Sequence, residues 1–468
     1  MQPIPKNINL QPERKSIKTI EVDEELLDDI RQLVADQAQT LLSNIVTDLH
    51  AADIAEILNH LSDDERLFIF LLLVPEVAAT VLLELDHDAR HQLLEITPSD
   101  KISEFVSFLP SDDAADFVAE LPPPLAEKVL RALPQKEAGD VQHLLKYDED
   151  TAGGIMDLDF VAVKSLNSVE EATQEVRSAA QNGISVYRVF VVDDERKLSG
   201  VISIADLVLN PLTSIISTIM EKQPKSVETD MDQEEVATLF RKYDLLDLPV
   251  IDKNGILVGR ITIDDIVDVM EEEHSEDVAR MVGSDAEELE KKSPSRIAFM
   301  RLPWVLTTLV IEFGAGVVIH FFDKTLSQVI LLASFMPIIS AISGNTGLQS
   351  AAIIVRAMAT GHVLPDQWWA PVWRQLQTTL IIGAVCGMLI GFVGSVWQGT
   401  WEFGLIVGFS MFISINISGF IGTVVPIISK RLGFDPAITA GPFETAFQDV
   451  IGITIFLGLA TLLLHWIV

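Results

Sequence analysis

Five stretches in the last third of the chain carry at most one formal charge, and each is long enough to cross a bilayer. Uncharged runs cover 325–355, 375–401, 403–429 and 450–468, and 302–322 is interrupted only by Glu312. A hydrocarbon core requires about 20 consecutive apolar residues in a helix, so the sequence predicts five membrane-spanning helices within 300–468. The N-terminal stretch QPIPKNINLQPERK is polar and lacks an apolar core, so no cleaved signal peptide is expected. The single cysteine, Cys386, lies in the middle of the third run and is read as a packing residue.

The charge distribution divides the chain at the same place. Residues 1–300 hold 27 Lys and Arg against 61 Asp and Glu, whereas 301–468 hold 6 against 7. Nearly all of the net charge of −35 therefore belongs to the part before the membrane. Such acidity excludes nucleic acid, which demands a basic surface, and leaves solubilisation or cation binding. Arg301, Arg356, Arg374, Lys430 and Arg431 flank the spans on the side of the acidic part, and Lys324 lies opposite. The excess of basic residues on the cytoplasmic side predicts a multi-pass inner or cell membrane protein, with cytoplasmic N-terminal domains and an external C-terminus.

A polar tail, 1–22, precedes a stretch of short amphipathic helices over 23–150. Leu-Pro steps at 109/110, 121/122 and 133/134 end one helix and begin the next, because proline disfavours helical geometry in the residue before it. Their spacing of 12 residues predicts a stack resembling a small solenoid. After YDEDTAGG the texture changes. VFVVDDERKLSGVISIADLV, from Val189, is echoed 59 residues later by LPVIDKNGILVGRITIDDIV, each a strand, a turn, a strand and a helix. The pair resembles tandem CBS domains, here over 151–213 and 214–270. Ser203 with Asp206, and Thr262 with Asp265, end the two repeats in register. Two readings stand for them: holding the ribose and phosphates of an adenosine nucleotide, as such residues can in that family, or capping the last helix. An acidic connecting helix over 271–299 then leads to the membrane domain, 300–468. Asp265, Asp268, Glu272 and Glu276 recur at helical spacings of three and four and share a face, where like charges about 6 Å apart repel by ~0.7 kcal/mol even in water. The fold class is thus multidomain: an all-α helical-repeat N-domain, α/β CBS domains, a connecting helix and five spans.

Ionisable residues within spans are costly and are functional candidates by default. Here they are Glu312, Glu444 and Asp449, all acidic, so the selected charge is positive. Asp449 has no basic residue within two turns. In the second span, Pro337, Gly344 and Gly347 are expected to loosen the helix and free carbonyl oxygens, with Asn345, Thr346 and Gln349 adding neutral oxygens; the other reading is a packing seam. Gly441-Pro442 does the same before the fifth span, where Thr445 offers a carbonyl, and Asn416 is the polar contact expected of the fourth. All these ligands are oxygens, which suits a hard cation such as Mg²⁺. One deep carboxylate per chain undercompensates a divalent ion, so a homodimer with the ion on its axis is expected. Glu444 lies roughly 140° around the helix from Asp449 and is left between the cytosolic mouth and a neighbouring span.

The order of parts, with GNTG in the second span and GPF-x-TA-x-x-D-x-x-G in the fifth, resembles the MgtE family of magnesium channels over nearly the whole chain from residue 25. The resemblance implies a homodimer, a pore between the second and fifth spans, and closure by Mg²⁺ bound among the acidic cytosolic domains. It makes Asp449 the pore carboxylate, with Gly441 and Thr445 lining that site through their backbones; Gly441 stands where some members carry Asn. It implies Mg²⁺ sensing by Glu234, Asp244, Asp265, Asp268, Glu273, Glu276 and Asp277, and Asp112 and Asp116 are chosen as their facing partners in the N-domain. ATP is implied as a regulatory ligand of the CBS pair, although Ala205 replaces an arginine that helps the phosphates in some relatives. No enzyme is expected: HExxH, paired catalytic aspartates in spans and GxSxG are all missing. A CBS-regulated carrier coupling H⁺ or Na⁺ to a solute is the rival expectation.

Overall fold

The computed structural model describes residues 22–284, 294–363 and 368–463, so the expected tail, most of the second half of the connecting segment and the last five residues lie outside it. The chain separates into two compact units, Met1–Val236 with Tyr243–Asp265, and Ala237–Lys242 with Ile266–Val468.

In the first unit, ten helices of 8 to 12 residues run from Glu24–Ala35 to Gln135–Leu144. Prolines 110, 122 and 134 each sit immediately before a helix, Ser111–Glu120, Pro123–Ala132 and Gln135–Leu144, which gives the 12-residue period its physical cause. Most of the packing joins each helix to the next but one, as Ala51–Asn59 to Pro75–Glu84 and Ser99–Val106 to Pro123–Ala132, so the helices stack as in a solenoid.

The two CBS repeats follow as small mixed sheets. Strands β1 (Ala162–Lys164), β2 (Arg188–Val192), β3 (Leu198–Ser203) and β4 (Glu221–Lys222) lie in that order, with β1 and β2 parallel and the others antiparallel. Strands β5 (Val227–Glu228), β6 (Asp247–Ile251) and β7 (Leu257–Thr262) repeat the first three. Even the irregularity in register recurs, between Val191 and Val192 and between Val250 and Ile251. The core of the first repeat is Val163, Val169, Val189, Val191, Ile202 and Ile216.

After β7 one helix, Ile263–Met281, runs without a break across the expected division at residue 270. In the second unit, five helices are long and apolar enough to cross a membrane: Pro294–Phe321, Leu332–Ala359, Trp369–Gln398, Trp401–Arg431, and Pro436–Leu462 with an interruption before Pro442. The first begins six residues ahead of the expected boundary. The third and fourth spans pack backbone to backbone, since a Cβ on Gly387 would come within 2.6 Å of the Gly408 carbonyl oxygen. Phe335, Ile339, Phe403, Ile415 and Phe456 fill the core between the second, fourth and fifth spans.

The expected loosening of the second span does not occur: Leu332–Ala359 is continuous through Pro337, Gly344 and Gly347. Backbone groups in an apolar phase have no water to bond, so the helix keeps its internal bonds. Its glycines instead make room for acidic side chains from the fifth span.

Candidate functional site

The break before the fifth span forms where the sequence asks for it. Asp435 accepts a hydrogen bond from the Ala437 amide (2.7 Å) and caps the short helix Pro436–Thr439; Gly441 then precedes the helix Pro442–Leu462 with Pro442 in its first turn. Asp449 therefore lies in the second turn of a helix surrounded by apolar residues. Its Oδ1 accepts from Ser340 Oγ of the second span at 2.5 Å. A Cβ on Gly344 would lie 3.6 Å from both that oxygen and the Thr445 methyl, so the glycine face of the second span rests against Thr445 and Asp449.

Glu312 of the first span reaches the same place and shares a hydrogen bond with Asp449. The sequence treated Asp449 as the one deep carboxylate of each chain; the structure corrects this to a pair of carboxyl groups with a serine hydroxyl beside them. All three are hard oxygen ligands, and two ionised carboxylates balance a divalent cation. Among the described residues no three His, Cys, Asp or Glu converge as a metal-holding group.

The other expected membrane ligands are placed differently. Asn416 is turned away: its Nδ2 donates to the Phe412 carbonyl (2.7 Å) and its Oδ1 accepts from Thr379 of the third span (3.2 Å). A half-buried amide satisfies its hydrogen bonds locally, here with Thr379 and the Phe412 carbonyl. Asn345 and Gln349 are exposed on the second span, although each sits in an uncharged membrane run. Glu444 faces neighbouring spans and not the cytosolic mouth: it is 2% exposed, and its Oε1 accepts from Gln448 Nε2 at 2.9 Å.

Gly441 has a second neighbour. Any side chain there would collide with the carbonyl oxygen of Met281, the last residue of Ile263–Met281. Arg280, one residue earlier, bonds Asp435 Oδ2 through Nη1 at 2.6 Å and pairs with Glu276 through Nη2. Glu276, expected as a sensor ligand, is thus neutralised from within its own helix. On that helix Asp268 is exposed, and Glu273 and Asp277 are half-buried.

An acidic centre lies in the first unit, where the helix Ser111–Glu120 meets the CBS repeats. Ser111 Oγ donates to Asp157 Oδ1 (3.0 Å) and accepts from the Leu158 amide (2.8 Å). Arg260 Nη2 and Nε donate to Asp157 Oδ2 at 3.0 and 3.3 Å, and Arg188 pairs with Asp247 at 3.3 Å. Asp112 and Asp265 have no basic partner among the described residues. Asp112 is 5% exposed and its Oδ1 has no hydrogen-bond partner among the described residues. Burial, then the nearby Asp265, Asp157 and Asp113 carboxylates, push its pKa well above the usual range. Asp265 is pushed up to about 6, by burial first and then Asp264 and Asp157, against hydrogen bonds from Thr262 that lower it. Asp116, one turn after Asp112, is exposed; Glu234 is half-buried, and Asp244 is exposed with a φ of 50°.

The paired hydroxyl and carboxylate groups of the CBS repeats act as caps. Ser203 Oγ donates to Asp206 Oδ2 at 2.6 Å and accepts from the Asp206 amide, and Thr262 donates to Asp265 Oδ2 through both its hydroxyl (2.6 Å) and its amide (3.1 Å). Sequence reasoning named Glu312 as a candidate and left it unassigned to the site. Its signal was present, a lone carboxylate in the first span, but only the fold shows that it meets Asp449.

Comparison with known proteins agrees with this arrangement of parts. Residues 49–150 match the MgtE intracellular N domain, 152–211 and 216–272 match CBS domains, and 336–459 match MgtE, described as a divalent cation transporter. The magnesium transporter MgtE of Thermus thermophilus is 30% identical over 450 residues, 95% of this chain and 100% of that protein. The magnesium transporter MgtE of Enterococcus faecalis is 34% identical over 333 residues, 71% of this chain and 73% of its own length. Among solved structures, the cytosolic domain of the Mg²⁺ channel MgtE in complex with ATP is 31% identical, covers 52% of this chain and 99% of its own, and superposes with a TM-score of 0.50.

Proposed function

The chain belongs to the MgtE family of magnesium transporters, and on that premise we propose that it carries Mg²⁺ through a path built on Asp449 and closed by Mg²⁺ at its acidic cytosolic domains. The observation that carries this reading is the meeting of Glu312, Asp449 and Ser340 among three apolar helices, with oxygen donors alone. Glu312 and Asp449 supply charge that offsets the ion's lost hydration, Ser340 fixes the Asp449 carboxylate, and the backbones of Thr445 and Gly441 line the approach.

The functional unit in this reading is a homodimer. Asn345 and Gln349, exposed on the second span, are costly against lipid and inexpensive against a second copy or water. The basic residues flanking the spans support N-terminal domains in the cytosol and a C-terminus outside.

Regulation follows from the two uncompensated carboxyl groups. With Mg²⁺ bound near Asp112 and Asp265, their repulsion is offset and the N-domain stays against the CBS repeats; when Mg²⁺ falls, repulsion favours separation. Asp116, Glu234, Asp244, Asp268, Glu273 and Asp277 extend the acidic surface. ATP is the further ligand, taken up beside Ser203, Asp206 and Thr262 of the CBS pair, as the ATP complex of the similar cytosolic domain supports.

The test is flux in liposomes carrying the purified protein, with a Mg²⁺ gradient and no gradient of H⁺ or Na⁺. Mg²⁺ uptake is expected; uptake that requires a proton or sodium gradient favours the coupled carrier instead. Two further outcomes are expected. Gly441→Ala puts a methyl group where the Met281 carbonyl lies, so closure weakens and flux persists at cytosolic Mg²⁺ that silences the parent protein; unchanged inhibition removes this contact from the closed state. The pH dependence has a definite sign. Asp265 and Asp112 bind protons more tightly in the folded arrangement than in the unfolded chain, so their contributions to stability are present at low pH and fall as pH rises, that of Asp265 being lost through about 6 and that of Asp112 having the same sign. Without Mg²⁺, resistance of the full chain to protease between the N-domain and the CBS repeats is expected to be greater at about pH 5 than at about pH 7.5, and Mg²⁺ restores it only at the higher pH.

A further inference from the structure

Glu444 is the buried acid that the pore does not use. It faces the second and fourth spans of its own subunit. Gly347 is the reason it fits: a Cβ there would collide with Glu444 Oε1 and come within 2.6 Å of Ser418 Oγ, so the carboxyl group and the hydroxyl converge over one glycine. Ser418 Oγ donates to the Ser343 carbonyl oxygen, and Gln448 Nε2 donates to both Glu444 Oε1 (2.9 Å) and the Ser418 carbonyl (3.2 Å). Glu444 and Ser418 are 2% and 0% exposed, and Glu444 Oε2 has no hydrogen-bond partner among the described residues. Ser414 Oγ, one turn earlier on the same face of the fourth span, is likewise without a partner among them.

No basic side chain is paired with Glu444 among the described residues; the groups acting on it are Gln448 and the Asp449 carboxylate. An ionised carboxylate so far from water costs several kcal/mol unless a positive charge compensates it. Its place in the first turn of Pro442–Leu462, where the helix dipole favours negative charge, offsets only part of that cost.

We propose that Glu444, Ser418 and the Ser343 carbonyl form a second cation site, off the pore axis and within one subunit, for a small singly charged ion of the Na⁺ class. One carboxylate with neutral oxygens balances a single positive charge, and a divalent ion would leave an excess of one. The donors are all hard oxygens, and the cradle closes down on the bare Cα of Gly347, which favours Na⁺ over the larger K⁺. The site goes beyond Mg²⁺ transport and does not depend on it.

The experiment is thermal unfolding of the full-length protein in detergent, free of divalent ions, at one pH and in NaCl, KCl or choline chloride of equal ionic strength. Sodium is expected to raise Tm by several degrees over the other two salts, saturably. Glu444→Gln should abolish this increment and Asp449→Asn should keep it. Equal Tm in the three salts, a Tm that responds to pH but not to sodium, or an increment that survives Glu444→Gln overturns the site. Loss of the increment in Asp449→Asn moves the ion to the pore. Should Glu444→Gln fail to fold, equilibrium binding of radioactive Na⁺ to the parent protein under excess K⁺ decides: one displaceable ion per chain supports the site, and none overturns it. Mg²⁺ flux is a separate readout, so failure of the sodium site and failure of Mg²⁺ transport are distinguishable.

Discussion

Replacing Asp449 with Ala is expected to lower Mg²⁺ flux by roughly 100-fold or more, the equivalent of about 3 kcal/mol of lost ion stabilisation. The carboxylate lies among apolar helices, where a charge interaction is far stronger than in water, and Ser340 already holds one of its oxygens in place. Asp449→Asn keeps the shape and the hydrogen-bonding capacity but loses the charge, and is expected to be nearly as damaging. Glu312→Gln should be milder, because Glu312 joins the site through Asp449. The folded protein should survive each change, as judged by an unaltered elution volume and Tm in detergent. Flux retained in Asp449→Ala removes the residue from the pathway.

The second large effect concerns closure. Asp112→Asn is expected to raise the Mg²⁺ needed for half-inhibition by about 10-fold or more, since one lost charge interaction of about 1.4 kcal/mol has that effect. The same change should make the first unit more resistant to unfolding when Mg²⁺ is absent, because it removes a buried carboxyl group that lacks a hydrogen-bond partner among the described residues. Weaker regulation together with greater stability is a combination that damage to the fold does not produce. Asp265→Asn should act in the same direction. Inhibition at the parent concentration in both variants would contradict a sensor centred on this pair.

Much of this architecture was legible in the residues. The proline period at 110, 122 and 134 specified the helical stack because proline acts through local geometry. The two CBS repeats announced themselves by a constant offset, and even their shared irregularity in register follows it. The spans were plain because the bilayer sets their length. Partners across helices were not legible. Nothing in the sequence says that Glu312 meets Asp449, that Thr379 draws Asn416 toward the third span, or that Arg280 reaches Asp435. Glycine was ambiguous: Gly344 and Gly347 read either as loosening residues or as a packing seam, and the intact helix fits the seam, using them to admit Asp449 and Glu444. A glycine's effect depends on what lies opposite, and the sequence does not hold that information in local form.

Mg²⁺ flux through the full-length protein in liposomes, with Mg²⁺ at the cytosolic face varied and the opposite face held constant, decides whether Mg²⁺ permeation is closed by Mg²⁺ at the cytosolic domains. Flux should fall steeply, beyond the loss of gradient, as cytosolic-face Mg²⁺ rises through the millimolar range, and Asp112→Asn should shift that fall to higher concentration. Flux that follows the gradient alone, with the same profile in the parent and in Asp112→Asn, would rule out closure by Mg²⁺ at the cytosolic domains.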